Sequence, residues 1–138
     1  MRPWLANKLA YPIYRVVLLA LLVTLGSCSQ DKSPSGIVVR VYWTVSCQYC
    51  KAELDELNDV YDAWLAQGIG ITTVNVSDSP AEITRVVEDR GYKFPVERGK
   101  LPAVGVPLTE VWKYGRLVAQ RLGYISPAQI RLLIESEP

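Results

Sequence analysis

The apolar positions of this chain switch repeatedly between a period of two and a period near 3.6. Ile37 to Trp43 (IVVRVYW) is a run of β-branched and aromatic residues, which predicts a buried strand. Tyr49, Leu54, Leu57, Tyr61, Trp64 and Leu65 then recur every three or four residues and predict one buried face of a helix over about Gln48–Gln67. Gly68 stands where a helix C′ residue belongs, and Ile69 to Val76 (IGITTVNV) reads as a second strand. Strand, helix and strand with so short a return imply a right-handed crossover and parallel pairing.

Ser79-Pro80-Ala81-Glu82 has the form of a capping box with proline in the first helical turn. It opens a helix with Ile83, Val86 and Val87 on its apolar side, closed by Gly91. Tyr92 to Val96 is predicted extended, because Pro95 pushes Phe94 away from helical geometry. Glu97 to Gly105 reads as irregular. Leu108–Tyr114 and Leu117–Leu122 form a predicted antiparallel hairpin around Gly115. Ser126-Pro127-Ala128-Gln129 is a second capping box, with Ile125 and Ile130 spaced as a hydrophobic staple. It starts a final helix containing Ile130, Leu133 and Ile134.

The 138 residues, 49% apolar and 21% charged, suit one globular domain behind an N-terminal extension. The net charge of +1 conceals an asymmetry. Arg2, Lys8 and Arg15 stand in the first 27 residues without an acid, leaving 12 basic and 14 acidic residues beyond. A slightly acidic domain without basic clusters gives no electrostatic reason to expect nucleic acid.

Within that extension, the basic stretch through Arg15 precedes an apolar run from Val16 to Leu25 and then Gly26-Ser27-Cys28. The run spans about half a bilayer core as helix, short for a membrane span and suited to a signal segment. Leu25-Gly26-Ser27-Cys28 resembles a bacterial lipobox, which implies cleavage before Cys28 and acylation of its thiol. An uncleaved signal anchor is the alternative; both place the domain outside the cytoplasm, tethered to a membrane. Residues 1–28 are thus read as signal peptide with lipobox cysteine, 29–36 as tether and 37–138 as the domain.

Chemistry concentrates at Cys47-Gln48-Tyr49-Cys50, on the turn from the first strand into the first helix. Unpaired backbone N–H groups and the positive end of the helix dipole favour a thiolate there. A Cys-x-x-Cys pair beside a β-α-β pattern points to redox chemistry. A structural disulfide or half of a zinc site are the alternatives. Zinc takes about four ligands. With no histidine, and no cysteine besides these two and Cys28, one chain cannot supply a usual set. The missing histidine equally disfavours a Cys-His protease.

The stretches VYWTVSCQYCKAEL, GIGITTVNVSDSP, RGYKFPV and GVPLTEVWKYGRLV resemble the membrane-anchored TlpA/ResA-type thiol-disulfide oxidoreductases. The resemblance runs from Ile37 to Ile134 and implies a thioredoxin fold: an α/β domain with a central mixed sheet flanked by helices on both faces. It implies a cis Val106–Pro107 bond lying against the cysteines; without it, Pro107 reads as an ordinary strand-edge proline. It makes Cys47 the nucleophile and Cys50 the resolving thiol. Glu53 is on the helix face of Cys50, where similar proteins carry a glutamate, and is expected to exchange the Cys50 proton; a solvated helix glutamate is the alternative. The substrate groove is expected at Trp43, Ser46, Gln48, Tyr49 and Val106.

The same resemblance implies an extracytoplasmic, lipid-anchored enzyme that reduces protein disulfides, with apocytochrome c or other envelope proteins as substrates. It would need no cofactor beyond the Cys47–Cys50 disulfide, bind no metal, and be recharged by a membrane electron donor of the DsbD/CcdA type. A disulfide oxidase or isomerase, or a non-catalytic interaction module of the same fold, are the rival readings.

Three features depart from the family pattern. Ser46 replaces a tryptophan, the segment between Pro95 and Pro107 is short and lacks a helix, and Glu110 falls inside a central strand. Glu110 and Arg40 are expected to approach one another on one face of the sheet, because an unpaired charge there is costly.

Overall fold

A computed structural model describes residues 36–136. The strands are β1 (Ile37–Trp43), β2 (Ile69–Asn75), β3 (Val96–Arg98), β4 (Leu108–Lys113) and β5 (Arg116–Leu122). The helices are α1 (Gln48–Ala66), α2 (Pro80–Arg90) and α3 (Pro127–Ser136). One mixed sheet has the order β3-β2-β1-β4-β5, with β1, β2 and β3 parallel and β4 antiparallel to both β1 and β5.

The periodic elements form where their patterns place them. Both capping boxes are made: Ser79 and Glu82 exchange side chain and backbone N–H bonds, as do Ser126 and Gln129. Each cap of this kind is worth about 1 kcal/mol. Gly91 ends α2 in the left-handed conformation, at φ 64°.

β3 corrects the sequence reading in part, since Val96 was expected extended but the strand runs on through Glu97 and Arg98, where an irregular stretch was expected. Its pairing with Thr73–Asn75 creates it, and that partner is invisible in three residues of local sequence. The strand begins just past Pro95, which has no N–H for a ladder.

β1 lies at the sheet centre and separates two unlike faces. Val39, Val41 and Trp43 are fully buried and join one apolar cluster with Ile69, Ile71 and Val111. Leu54, Leu57 and Trp64 of α1, Ile83 and Val86 of α2, and Ile130 and Ile134 of α3 all enter that same cluster. The crossovers β1-α1-β2 and β2-α2-β3 run in one direction across the sheet. Two right-handed crossovers of that kind set their helices on one side.

The other face of the sheet carries Arg40, Tyr42, Glu110 and Trp112. Arg40 and Glu110 are direct partners in the ladder, hence on one face as expected, but they form no ion pair. The Glu110 carboxylate accepts from Trp112 Nε1 (2.9 Å), Gln120 Nε2 (3.1 Å) and the Tyr42 hydroxyl (3.3 Å). The Arg40 guanidinium instead lies over the Trp112 ring, 5.8 Å from its centroid, and its Nε has no hydrogen-bond partner. Neutral donors, rather than the arginine, offset the burial of Glu110.

Candidate active site

β1 delivers the chain to the Cys-x-x-Cys turn. Cys47 is the N-cap of α1, in extended geometry, and its sulfur accepts from the Cys50 N–H at 3.1 Å. The two cysteines form a disulfide with Cα atoms 5.2 Å apart. They are unequal: Cys47 is half-buried and Cys50 fully buried. Of the two thiols, the one at the helix N-terminus is the one a substrate can reach, where the helix dipole favours a thiolate.

The buried stripe of α1 consists of Cys50, Glu53, Leu54, Leu57 and Trp64. Tyr49 and Leu65, expected on that stripe, are 72% and 51% exposed. Each is one residue out of phase with it, about 100° round the helix. Glu53 takes a buried place that the hydrophobic pattern gave to apolar residues alone.

Glu53 is fully buried, which rules out the solvated alternative. One carboxyl oxygen accepts from the Thr109 hydroxyl of β4, and the other from the Ile125 N–H at 3.4 Å. Burial drives its pKa up, the two hydrogen bonds draw it back, and nearby Glu56 raises it slightly, for a value of about 7. A carboxyl group that is half-ionised near neutrality can both take and give a proton. Outside it, the Tyr124 hydroxyl donates to Glu56 at 2.6 Å, a bond that raises the tyrosine pKa.

The Val106–Pro107 bond is cis. Pro107 is buried, its carbonyl accepts from Gly123 N–H at 2.9 Å, and Val106 is half-buried at the margin of the core, as is Cys47. Residues 99–106 contain no helix, and within them Leu101 and Val104 are 59% and 54% exposed.

The expected groove residues separate into two groups. Ser46, Gln48 and Tyr49 are exposed around Cys47. Trp43 is corrected: it is fully buried, set edge-on to Tyr92 at 6.5 Å, so its ring supports the turn from beneath and lines no groove. The alternation of Val39, Val41 and Trp43 on one strand face accounts for this. Cys28 lies outside the described residues.

Sequence reasoning missed Asp78. Its carboxylate accepts from the Val45 N–H at 2.6 Å and from Asn75 Nδ2 at 2.7 Å, while Asn75 Oδ1 accepts from the N–H groups of Ser77 and Asp78. This network ties the end of β2 to the turn two residues before Cys47. The signal available was an Asn-x-x-Asp pair at a strand end, a pattern that suits an Asx-type turn. Among the described residues, no group of three or more His, Cys, Asp or Glu is placed to hold a metal ion.

Residues 24–99 match the sequence model of the AhpC/TSA family. Thiol-disulfide oxidoreductase ResA of Geobacillus thermodenitrificans is 29% identical over 55 residues, which cover 40% of this chain and 32% of that protein. ResA of Oceanobacillus iheyensis is 24% identical over 70 residues, 51% of this chain and 36% of the relative. The chain thus matches about a third of the length of these curated relatives. Among solved structures, a DsbF homologue from Corynebacterium diphtheriae superposes with a TM-score of 0.65 at 27% identity, over 74% of this chain and 72% of that one. StoA from Bacillus subtilis superposes with a TM-score of 0.60 at 17% identity, over 72% and 82%.

Proposed function

Because the chain belongs to the AhpC/TSA family and has a thioredoxin fold, we propose that it is a thiol-disulfide oxidoreductase that reduces protein disulfides outside the cytoplasm. The observation that supports this most is the pairing of a half-buried Cys47 at a helix N-terminus with a buried Cys50 and a buried Glu53 one turn on.

In the reduced protein the Cys47 thiolate attacks one sulfur of a substrate disulfide. A Cys47–substrate disulfide forms, and the other substrate sulfur leaves as a thiolate. Cys50 then gives its proton to the Glu53 carboxylate and attacks the Cys47 sulfur. The Cys47–Cys50 bond closes, the second substrate thiolate departs, and Glu53 returns the proton to it. Two electrons pass from the dithiol to the substrate, with no cofactor beyond the cysteine pair.

The reducing direction is supported by Gln48-Tyr49, which puts no cation between the cysteines to stabilise the reduced form. Lipidation at Cys28 fits the basic, apolar and Leu25-Gly26-Ser27-Cys28 sequence ahead of the domain. It would hold the enzyme on a membrane, facing the periplasm or cell exterior, where a donor of the DsbD/CcdA type could recharge it. Apocytochrome c and other envelope disulfides are the substrates this reading favours. Insulin reduction with dithiothreitol tests it. The wild type should accelerate precipitation, Cys47→Ser should not, and Cys50→Ser should accumulate disulfide-linked complexes through Cys47. Wild-type protein no faster than dithiothreitol alone would refute the enzymatic reading in favour of an interaction module.

A further inference from the structure

Thr109 is 1% exposed, on β4 next to the central strand β1. A buried hydroxyl needs a partner. Among the described residues that partner is Glu53, whose Oε1 accepts from Thr109 Oγ1. The bond from Ile125 N–H to the other oxygen, at 3.4 Å, is at the long end of hydrogen-bond range. Thr109 is therefore the main polar restraint on the carboxyl group. It faces Val41 across the ladder and stands two residues beyond Pro107 on the same chain segment.

We propose that Thr109 is a positioning residue for proton exchange at Cys50: its hydroxyl holds Glu53 by one oxygen and favours the carboxylate, the form that can accept the thiol proton. This rests on the proposed redox reading and extends it to a residue that touches neither sulfur nor substrate in that scheme. Burial favours the protonated acid, and a protonated acid cannot act as base. A hydroxyl donor is one group that opposes burial here without introducing a charge. Valine keeps the size and β-branching of threonine and removes only the donor, whereas serine keeps the donor.

The test has two readouts. In the first, the Glu53 carboxyl is titrated by ¹³C NMR in the oxidised full chain. Thr109→Val should raise its midpoint by about one pH unit, equivalent to about 1.4 kcal/mol, and Thr109→Ser should leave it near the wild-type value. In the second, the reduced protein is mixed with Ellman's reagent, and release of the second thionitrobenzoate reports attack of Cys50 on the Cys47 mixed disulfide. At pH 7 a one-unit rise lowers the ionised fraction of Glu53 about fivefold, so Thr109→Val should resolve about fivefold more slowly and recover above pH 8. Unchanged titration and rate in Thr109→Val overturn the proposal. If Glu53→Gln still abolishes the pH-dependent limb, the role of Glu53 survives that failure; if it leaves the limb intact, that role falls with the proposal, and the redox reading falls only if the wild type also fails to reduce insulin. Should Thr109→Val fail to fold, Thr109→Ala carries the same expectations.

Discussion

Glu53 makes the stability of the oxidised protein depend on pH in an unusual direction. Its pKa is about 7 in the fold against 4.5 in an unfolded chain, so between those values the native state holds a proton that the unfolded state has released. Stability must therefore fall as pH rises through this window, by up to about 1.4 kcal/mol per pH unit. The full difference of 2.5 units corresponds to about 3 kcal/mol, an upper figure for a fully buried group. Glu53→Gln removes the ionisation and keeps the shape. Urea denaturation of both oxidised proteins from pH 4 to pH 9 gives the difference in unfolding free energy at each pH. That difference should be flat below pH 4.5, rise in favour of Glu53→Gln up to about pH 7, and stay about 3 kcal/mol higher beyond. A constant cost from altered hydrogen bonds moves the whole curve but not its shape. Parallel stability profiles for the two proteins would refute the burial argument.

Three further outcomes are expected. Asp78→Ala should cost about 2 kcal/mol in urea denaturation and change the alkylation rate of Cys47, because it strips the Val45 N–H of a charged acceptor, while Asp78→Asn should lose less. A double-mutant cycle of Arg40→Ala and Glu110→Ala should give a coupling below about 0.5 kcal/mol, since the arginine stacks on Trp112 and the carboxylate bonds neutral donors; coupling near 2 kcal/mol would mean an ion pair in solution. Labelling cells with palmitate should tag the wild type and not Cys28→Ala, and an untagged wild type would favour an uncleaved anchor.

The long elements were legible because each repeats one period over many residues. β1 and α1 stand within a residue of their predicted ends for that reason. The misreadings arise where a partner distant in sequence decides the outcome. Glu53 looks like any helix glutamate until Thr109, 56 residues on, and Ile125, 72 residues on, close over it. The spacing to Cys50 told which face it occupies, and the resemblance told that the face matters. Tyr49 was misassigned because an apolar spacing of three or four tolerates a residue at the stripe's edge. The three residues of β3 carry too little pattern to predict, and the burial of Trp43 was readable only from the alternation of β1. Asp78 left only the Asn-x-x-Asp pattern with Asn75 as a signal, because its other partner, the Val45 N–H, is 33 residues away and belongs to the backbone.

The order in which these parts leave the ribosome has its own consequence. Both cysteines and Glu53 are in the first half of the domain, within β1-α1-β2, which can pair locally. The groups that restrain Glu53 arrive with β4 and the turn into α3, and β4 must insert beside β1 across a separation of some 70 residues, as in the pairing of Arg40 with Glu110. Closing so long a loop is entropically slow compared with forming the local unit. A nascent chain can therefore form the Cys47–Cys50 turn before the groups that hold Glu53 are in place. Until β4 docks, Glu53 lacks the Thr109 hydroxyl that holds its carboxyl group. The surroundings that bury Glu53 are thus completed only in a late step of assembly.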